Sequence, residues 1–220
     1  MPFPSSFPRG TLGFMMDKIA DQIARTDLGP QIAEVINDAI NFYQPHRFIF
    51  SEGRDTSLST VIGQEFYGVA DDPLLGPAGL FAFDYITVTI GTAQFDLPRY
   101  QPEDIELLSQ SGTQMGQPQC YSYYNFQMRL YPVPNAVYPL TIAAHQRIPA
   151  PATTSTLENP WMTAGERLIR GRAKYEIALN YTSDLDEAQR MTAYVTEAFD
   201  ELIARSTNLG GTGFIRPTQF

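Results

Sequence analysis

The sequence predicts an α+β protein: a four-helix bundle formed by N- and C-terminal helical hairpins, with an inserted antiparallel β module and extended termini. Three observations predict it. Apolar residues recur at helical spacing near both ends of the chain, they alternate with period two in the middle, and prolines gather where the alternating runs stop. A pair of helices cannot bury its stripes alone, so one bundle built from both chain ends is the economical solution. The reading divides the 220 residues into an arm at 1–10, a bundle at 11–45 and 160–206, a β-rich module at 46–159 and an arm at 207–220.

The opening MPFPSSFPRG carries Pro2, Pro4 and Pro8 between Phe3 and Phe7. Proline fixes φ and removes a donor, so this is an extended arm. It is either a loose terminus or a segment whose two Phe side chains dock on a neighbour. A helix follows over 11–26, with Leu12, Met15, Met16, Ile19 and Ile23 at helical spacing. Leu28-Gly29-Pro30 stops it, and Pro30 suits the first turn of a second helix over 30–43. There Ile32, Val35, Ile36, Ala39, Ile40 and Tyr43 share one face. The short connection predicts an αα-hairpin.

From 46 the pattern changes. YITVTIG alternates, with Ile86, Val88 and Ile90 on one face; FQMRLY places Phe126, Met128 and Leu130 together; YPLTIAAHQ places Leu140, Ile142 and Ala144 in step. PVPNA between the last two runs reads as a hairpin loop. Prolines 132, 134, 139 and 149 cannot donate to a ladder, which predicts short strands at exposed edges. QPEDIELLSQ reads as a short helix, and residues 46–80 hold two weak strands around a polar turn.

Helical spacing returns at 160. PWMTAGERLIRGRAKYEIALNYTSD runs to a break at Thr182-Ser183, with Trp161, Leu168, Tyr175, Ala178 and Leu179 as its apolar contacts. Gly171 in mid-helix predicts close packing. In the last helix Asp184 is the N-cap and Glu187 completes a capping-box pattern. Leu185, Ala188, Thr192, Val195, Phe199 and Leu202 step by 3, 4, 3, 4, 3, the spacing of a bundle seam. Leu185, Val195, Phe199 and Leu202 are its expected core residues. The helix is expected to end near Arg205.

A net charge of -9 argues against DNA binding as the main task, because backbone binding needs clustered Lys and Arg. The lone Cys120 allows no internal disulfide and no CxxC metal pair. No secretory signal pattern opens the chain. The apolar run near AGLFAF breaks at Asp84, far short of the ~20 residues of a membrane span. His46 and His145 form no metal or catalytic pattern, no phosphate loop is present, and the expectation is no catalysis, no metal and no cofactor. One cluster stands out: Arg167, Arg170, Arg172 and Lys174. It is either a solvated face balanced by Glu166 and Glu176, or a subunit contact against an acidic neighbour such as the helix start at Asp184, Asp186 and Glu187. In the tail, Gly210, Gly211 and Gly213 precede Phe214, Ile215, Arg216 and Phe220, a segment too short for its own core. Such a segment either stays loose or docks on a partner.

The order of these pieces resembles the head-to-tail adaptor (connector) proteins of tailed bacteriophages. GQPQCY is similar to the family's Gly-x-Pro-x-x-Tyr element, FQMRLYPVP to its strand ending in Leu-x-Pro-x-Pro, and YPLTIAAHQRIP to the strand that follows. IAEVINDAI resembles the family's second helix, and NPWMTAGERLIRGRAKYEIALNYTSDLDEAQRM its helix, Asp-containing break and Ala-rich helix. Residues 46–80 match least. The resemblance implies a structural virion protein at the head–tail joint, assembled in the host cytoplasm. It implies a closed ring of about twelve copies between the portal protein and tail or nozzle proteins. DNA would be passing cargo in the lumen, and no membrane is involved. C-terminal arms of the family reach the portal, which makes Phe214, Ile215, Arg216 and Phe220 portal-binding candidates. Arg167, Arg170, Lys174, Asp184 and Asp186 are the inter-subunit candidates. The alternatives are another tail component, such as a tail terminator or tail-tube protein, or an enzyme or small-ligand module. A tube protein would be dominated by β structure, and no catalytic constellation supports an enzyme.

Overall fold

A computed structural model describes residues 5–109 and 114–210. Helix α1 spans Leu12–Gln22 and α2 Gly29–Tyr43; β1 (Glu52–Asp55), β2 (Phe66–Tyr67), β3 (Leu80–Ile90) and β4 (Ala93–Leu97) follow. Next come α3 (Pro102–Ser109), β5 (Met115–Gly116), β6 (Cys120–Tyr124), β7 (Gln127–Tyr131), β8 (Val133–Pro134) and β9 (Leu140–Gln146). The chain closes with α4 (Pro160–Thr163), α5 (Glu166–Ile177), a π-helical turn (Ala178–Thr182) and α6 (Leu185–Gly210). The protein is thus mixed helix and sheet, in two compact units. One is helical and contains both chain ends, up to Phe50 and from Ile148; the other is the β unit, Ser51–Arg147.

In the helical unit, Thr11 starts α1, its Oγ1 accepting from the Phe14 amide at 3.3 Å. Pro30 sits in the first turn of α2, and all six residues of the expected α2 face are buried. Helix α5 packs against α1, α2, α4 and α6. Gly171 makes its contact with α6 possible, since a Cβ there would lie 2.8 Å from the Tyr194 ring. Residues 46–50 and 148–159, expected with the β module, belong to the helical unit. The reason is aromatic packing. Phe48 and Phe50 meet Trp161 edge-on at 5.6 and 4.9 Å between ring centroids. Trp161 is fully buried and donates its Nε1–H to the Ile148 carbonyl at 3.0 Å.

The α6 seam differs from the sequence expectation. Leu185 is 69% exposed and Thr192 is exposed, so neither is core. Ala188, Ala198 and Leu202 are buried, with Val195, Phe199 and Ile203 partly buried against the same core. The inner line runs 188, 195, 198, 202, one residue before the expected 199. The small Ala198 is buried in the core, and Phe199 lies partly buried beside it. Leu185 lies in the first turn, just after a left-handed Ser183 redirects the chain. Leu179 is likewise 41% exposed, while Ile169, Ala173 and Ile177 supply the α5 core. Helix α6 continues to Gly210, five residues past its expected end.

In the β unit, strands order β1-β9-β3-β4 in one antiparallel sheet and β2-β7-β6 in another; β5 and β8 form a parallel pair. The core comprises Tyr67, Leu75, Ile86, Val88, Met128, Leu130, Leu140 and Ile142 among others. The expected hairpin across PVPNA does not form. Strand β7 pairs with β2 and β6, whereas β9 pairs with β1 and β3. Pro132, Pro134 and Pro139 interrupt the ladder, and the chain crosses from one sheet to the other between them. Nor are β7 and β9 edges: each lies between two partners, and β9 is buried on both faces. Its ladder begins at Leu140, after the last of these prolines.

Candidate functional site

Helix α5 carries the cation cluster, and each cation is engaged within the chain. Arg167 bonds Glu197 at 2.8 Å and also Glu201, both on α6, and its guanidinium lies 5.0 Å from the Tyr194 ring centroid. Arg170 reaches the Tyr194 hydroxyl at 3.2 Å and Glu166 at 3.5 Å. Arg172 holds Glu176 at 2.6 Å, and Lys174 holds Glu187 at 3.1 Å. The acidic helix start is therefore a partner of this cluster inside one chain, through Glu187. Asp184 acts as the N-cap, its Oδ1 accepting from the Glu187 amide at 2.9 Å. Asp186 lies in the first turn of α6, where negative charge suits the helix dipole.

Of the two arms, Phe7 is described. It rests on its own α1, close enough that a Cβ at Gly13 would lie 2.5 Å from the ring. Phe3 lies outside the described residues, as do Phe214, Ile215, Arg216 and Phe220.

Cys120 is buried, and burial pushes its thiol pKa up, which keeps it protonated and unreactive. No group of three or more His, Cys, Asp or Glu side chains among the described residues is placed to hold a metal. No helix among them is long and apolar enough to cross a membrane.

The β unit holds a buried carboxyl, Asp72. Its Oδ1 accepts from the Leu74 amide at 2.8 Å and starts the short 3₁₀ turn Pro73–Leu75, while Oδ2 has no hydrogen-bond partner. Burial raises its pKa above the ordinary Asp value, and nearby Asp55 adds to the rise. Arg129 is the best-enclosed cation there, bonded to Glu65 at 2.5 Å and Glu106 at 2.6 Å with 11% of its side chain exposed.

Two features escaped the sequence reading. The first is a set of exposed apolar tips. Thr60 Oγ1 donates to the Ala136 carbonyl, and the Gly63 amide donates to Pro134, which joins two loops whose Val61, Ile62 and Val137 face solvent. At the β6–β7 turn, Tyr124 and Phe126 are exposed. The second is a groove of about 330 Å³ among α2, α5 and α6, lined by Phe42, Tyr43, His46, Arg172, Tyr175 and Phe199 among others. Periodicity assigned Phe199 to the core; it lies partly buried at the core's margin, where it stacks on Tyr43 at 5.7 Å and meets His46 edge-on at 4.9 Å. Charge offers one sequence signal for the tips: no Asp, Glu, Lys or Arg occurs between Glu106 and Arg129, or between Arg129 and Arg147. Uncharged loops with exposed apolar side chains are chemically suited to protein contacts.

A comparison with curated proteins finds no match. A family model described as SU10 adaptor protein matches residues 11–216, which takes in most of both units. The chain belongs to the SU10 adaptor protein family, a family of phage head-to-tail adaptors.

Proposed function

We propose that this protein is a non-catalytic virion component that forms a ring of about twelve copies between portal and tail, with a lumen through which DNA passes. The observation that carries the reading is the family match over residues 11–216. The surface supports it. The cations of α5 are used within the chain, which leaves apolar tips and an aromatic groove as the available contact chemistry. A chain of net charge -9 repels phosphates, which suits a channel that DNA must slide through. The helical unit, with α5 at its centre, serves as the bundle that carries the β unit. The segment after Gly210 binds the portal through Phe214, Ile215 and Phe220, with Arg216 making polar contacts. The isolated chain is monomeric, and the portal acts as template, with avidity from many weak contacts.

Negative-stain imaging of the protein mixed with portal tests the ring. Rings capping the portal are expected; portal particles without added density would refute the reading. A chain lacking 210–220 should stay folded, because the last buried residue of α6 among the described ones is Leu202, yet no longer co-sediment with portal. Retained co-sedimentation would remove the arm from the portal contact.

A further inference from the structure

The β6–β7 turn is built against its own local preference. Asn125 and Phe126 have φ of 50° and 59°. A two-residue hairpin turn with both φ positive favours Asn followed by Gly. Asn125 fits, but a bulky ring in the left-handed region is an outlier. Phe126 contributes little to its own core, being 49% exposed, and Tyr124 beside it is 74% exposed. Glycine would make the turn at less strain, so the ring's role lies outside the unit.

The groove on the helical unit offers matching chemistry. Phe42 is 54% exposed. Arg172 lies over the Phe42 and Tyr175 rings, 4.5 and 5.2 Å from their centroids, and its charge is already held by Glu176. A charged occupant finds no free counter-charge in this guanidinium. An uncharged, electron-rich ring finds ring edges, ring faces and a cation to sit against. The turn is such an occupant: Tyr123 to Gln127 carries no charge. Tip and groove both stand open in one chain.

We propose that the tip of one copy, Tyr124 and Phe126, seats in the aromatic groove of a second copy. Each copy then gives a β-unit tip and receives one on its helical unit. Such a head-to-tail contact joins unlike surfaces and closes into a ring where the rotation allows. The inference rests on the ring reading above and adds to it the residues of one contact.

The test uses two full-length variants, Gln127→Cys beside the tip and Thr196→Cys on the groove, both at exposed positions. The native Cys120 is buried and stays unreactive. Mixed in the presence of portal, where the copies assemble, and treated with a short bismaleimide, the two should form the mixed dimer in roughly three- to tenfold excess over its statistical share, the bias one aromatic contact supplies. Adding Tyr124→Ser and Phe126→Gly to the first variant should erase the excess with an unchanged circular dichroism spectrum, since glycine suits the turn. A statistical mixture, or an excess that survives the added substitutions, overturns the contact. Imaging with portal separates the two readings: rings without cross-linking bias refute this contact alone, and absence of rings refutes the ring.

Discussion

The helical and β units solve opposite problems. The helical unit contributes eleven Lys and Arg against fourteen Asp and Glu, a net of -3; the β unit has four Arg against ten carboxylates, a net of -6. In the first, cations of α5 bind carboxylates of α5 and α6, and one core collects residues from every helix of the unit. In the second lie most of the exposed large apolar side chains among the described residues, Ile62, Phe95, Leu107, Tyr124 and Val137 among them. The helical unit leaves fewer large apolar side chains exposed among the described residues, while the β unit leaves more of its apolar surface uncovered. Such surface on a folded unit marks contact with other proteins.

Substitutions can break this contrast or sharpen it. The largest effect belongs to Trp161→Ala. It empties the site where Phe48 and Phe50 meet and deletes the bond to Ile148. A loss of about 3–5 kcal/mol in urea unfolding is expected, confined to the helical unit. A loss below 1 kcal/mol, on the order of an exposed-site change, would show that the unit has no single core.

Arg129→Ala comes next. The side chain is largely enclosed, and its removal strips Glu65, 28% exposed, of its partner. About 2–3 kcal/mol should be lost from the β unit, less than for a fully buried pair because Glu106 remains in solvent. Equal unfolding of variant and parent would place the ion pair among the energetically silent ones.

Asp72→Asn should act in the opposite direction. Its folded pKa is raised, so folding disfavours the charged form. The parent's β unit holds this contribution in full below the ordinary Asp value and loses it as pH rises through the raised one. Asparagine stays neutral and can still accept from Leu74. The variant should therefore match the parent in acid and be more stable at neutral pH. A stability difference that does not change with pH would contradict the assignment.

The smallest effect is Arg167→Ala. Like Arg129 it bridges two carboxylates, but Glu197 and Glu201 are 70% and 66% exposed. Exposed pairs contribute little, and the unfolding midpoint should not move measurably. A clear drop would mean that the contact with the Tyr194 ring carries stability that the ion pairs do not.

Much of the architecture was legible in the residues. The α2 stripe is buried as its spacing requires, Asp184 caps α6 as its type requires, and Gly171 admits α6 because it lacks a side chain. The two weak strands expected in 46–80 are β1 and β2. The site was less legible. The cation cluster was visible as a cluster, but not that α6 answers it in the same chain. The aromatic groove gathers residues from three helices far apart in sequence, so no local pattern announces it.

The sequence by itself determined the helices, the alternation of the strands, the mixed class and the acidic charge, because these follow from period, capping chemistry and composition over neighbouring residues. Tertiary structure alone decided which strands pair, which α6 line faces inward, and which apolar side chains stay outside. Strand pairing depends on partners distant in the chain. Two neighbouring lines on a helix, through Ala198 or through Phe199, satisfy the same spacing, and only packing against the other helices decides that Ala198 is buried and Phe199 partly so.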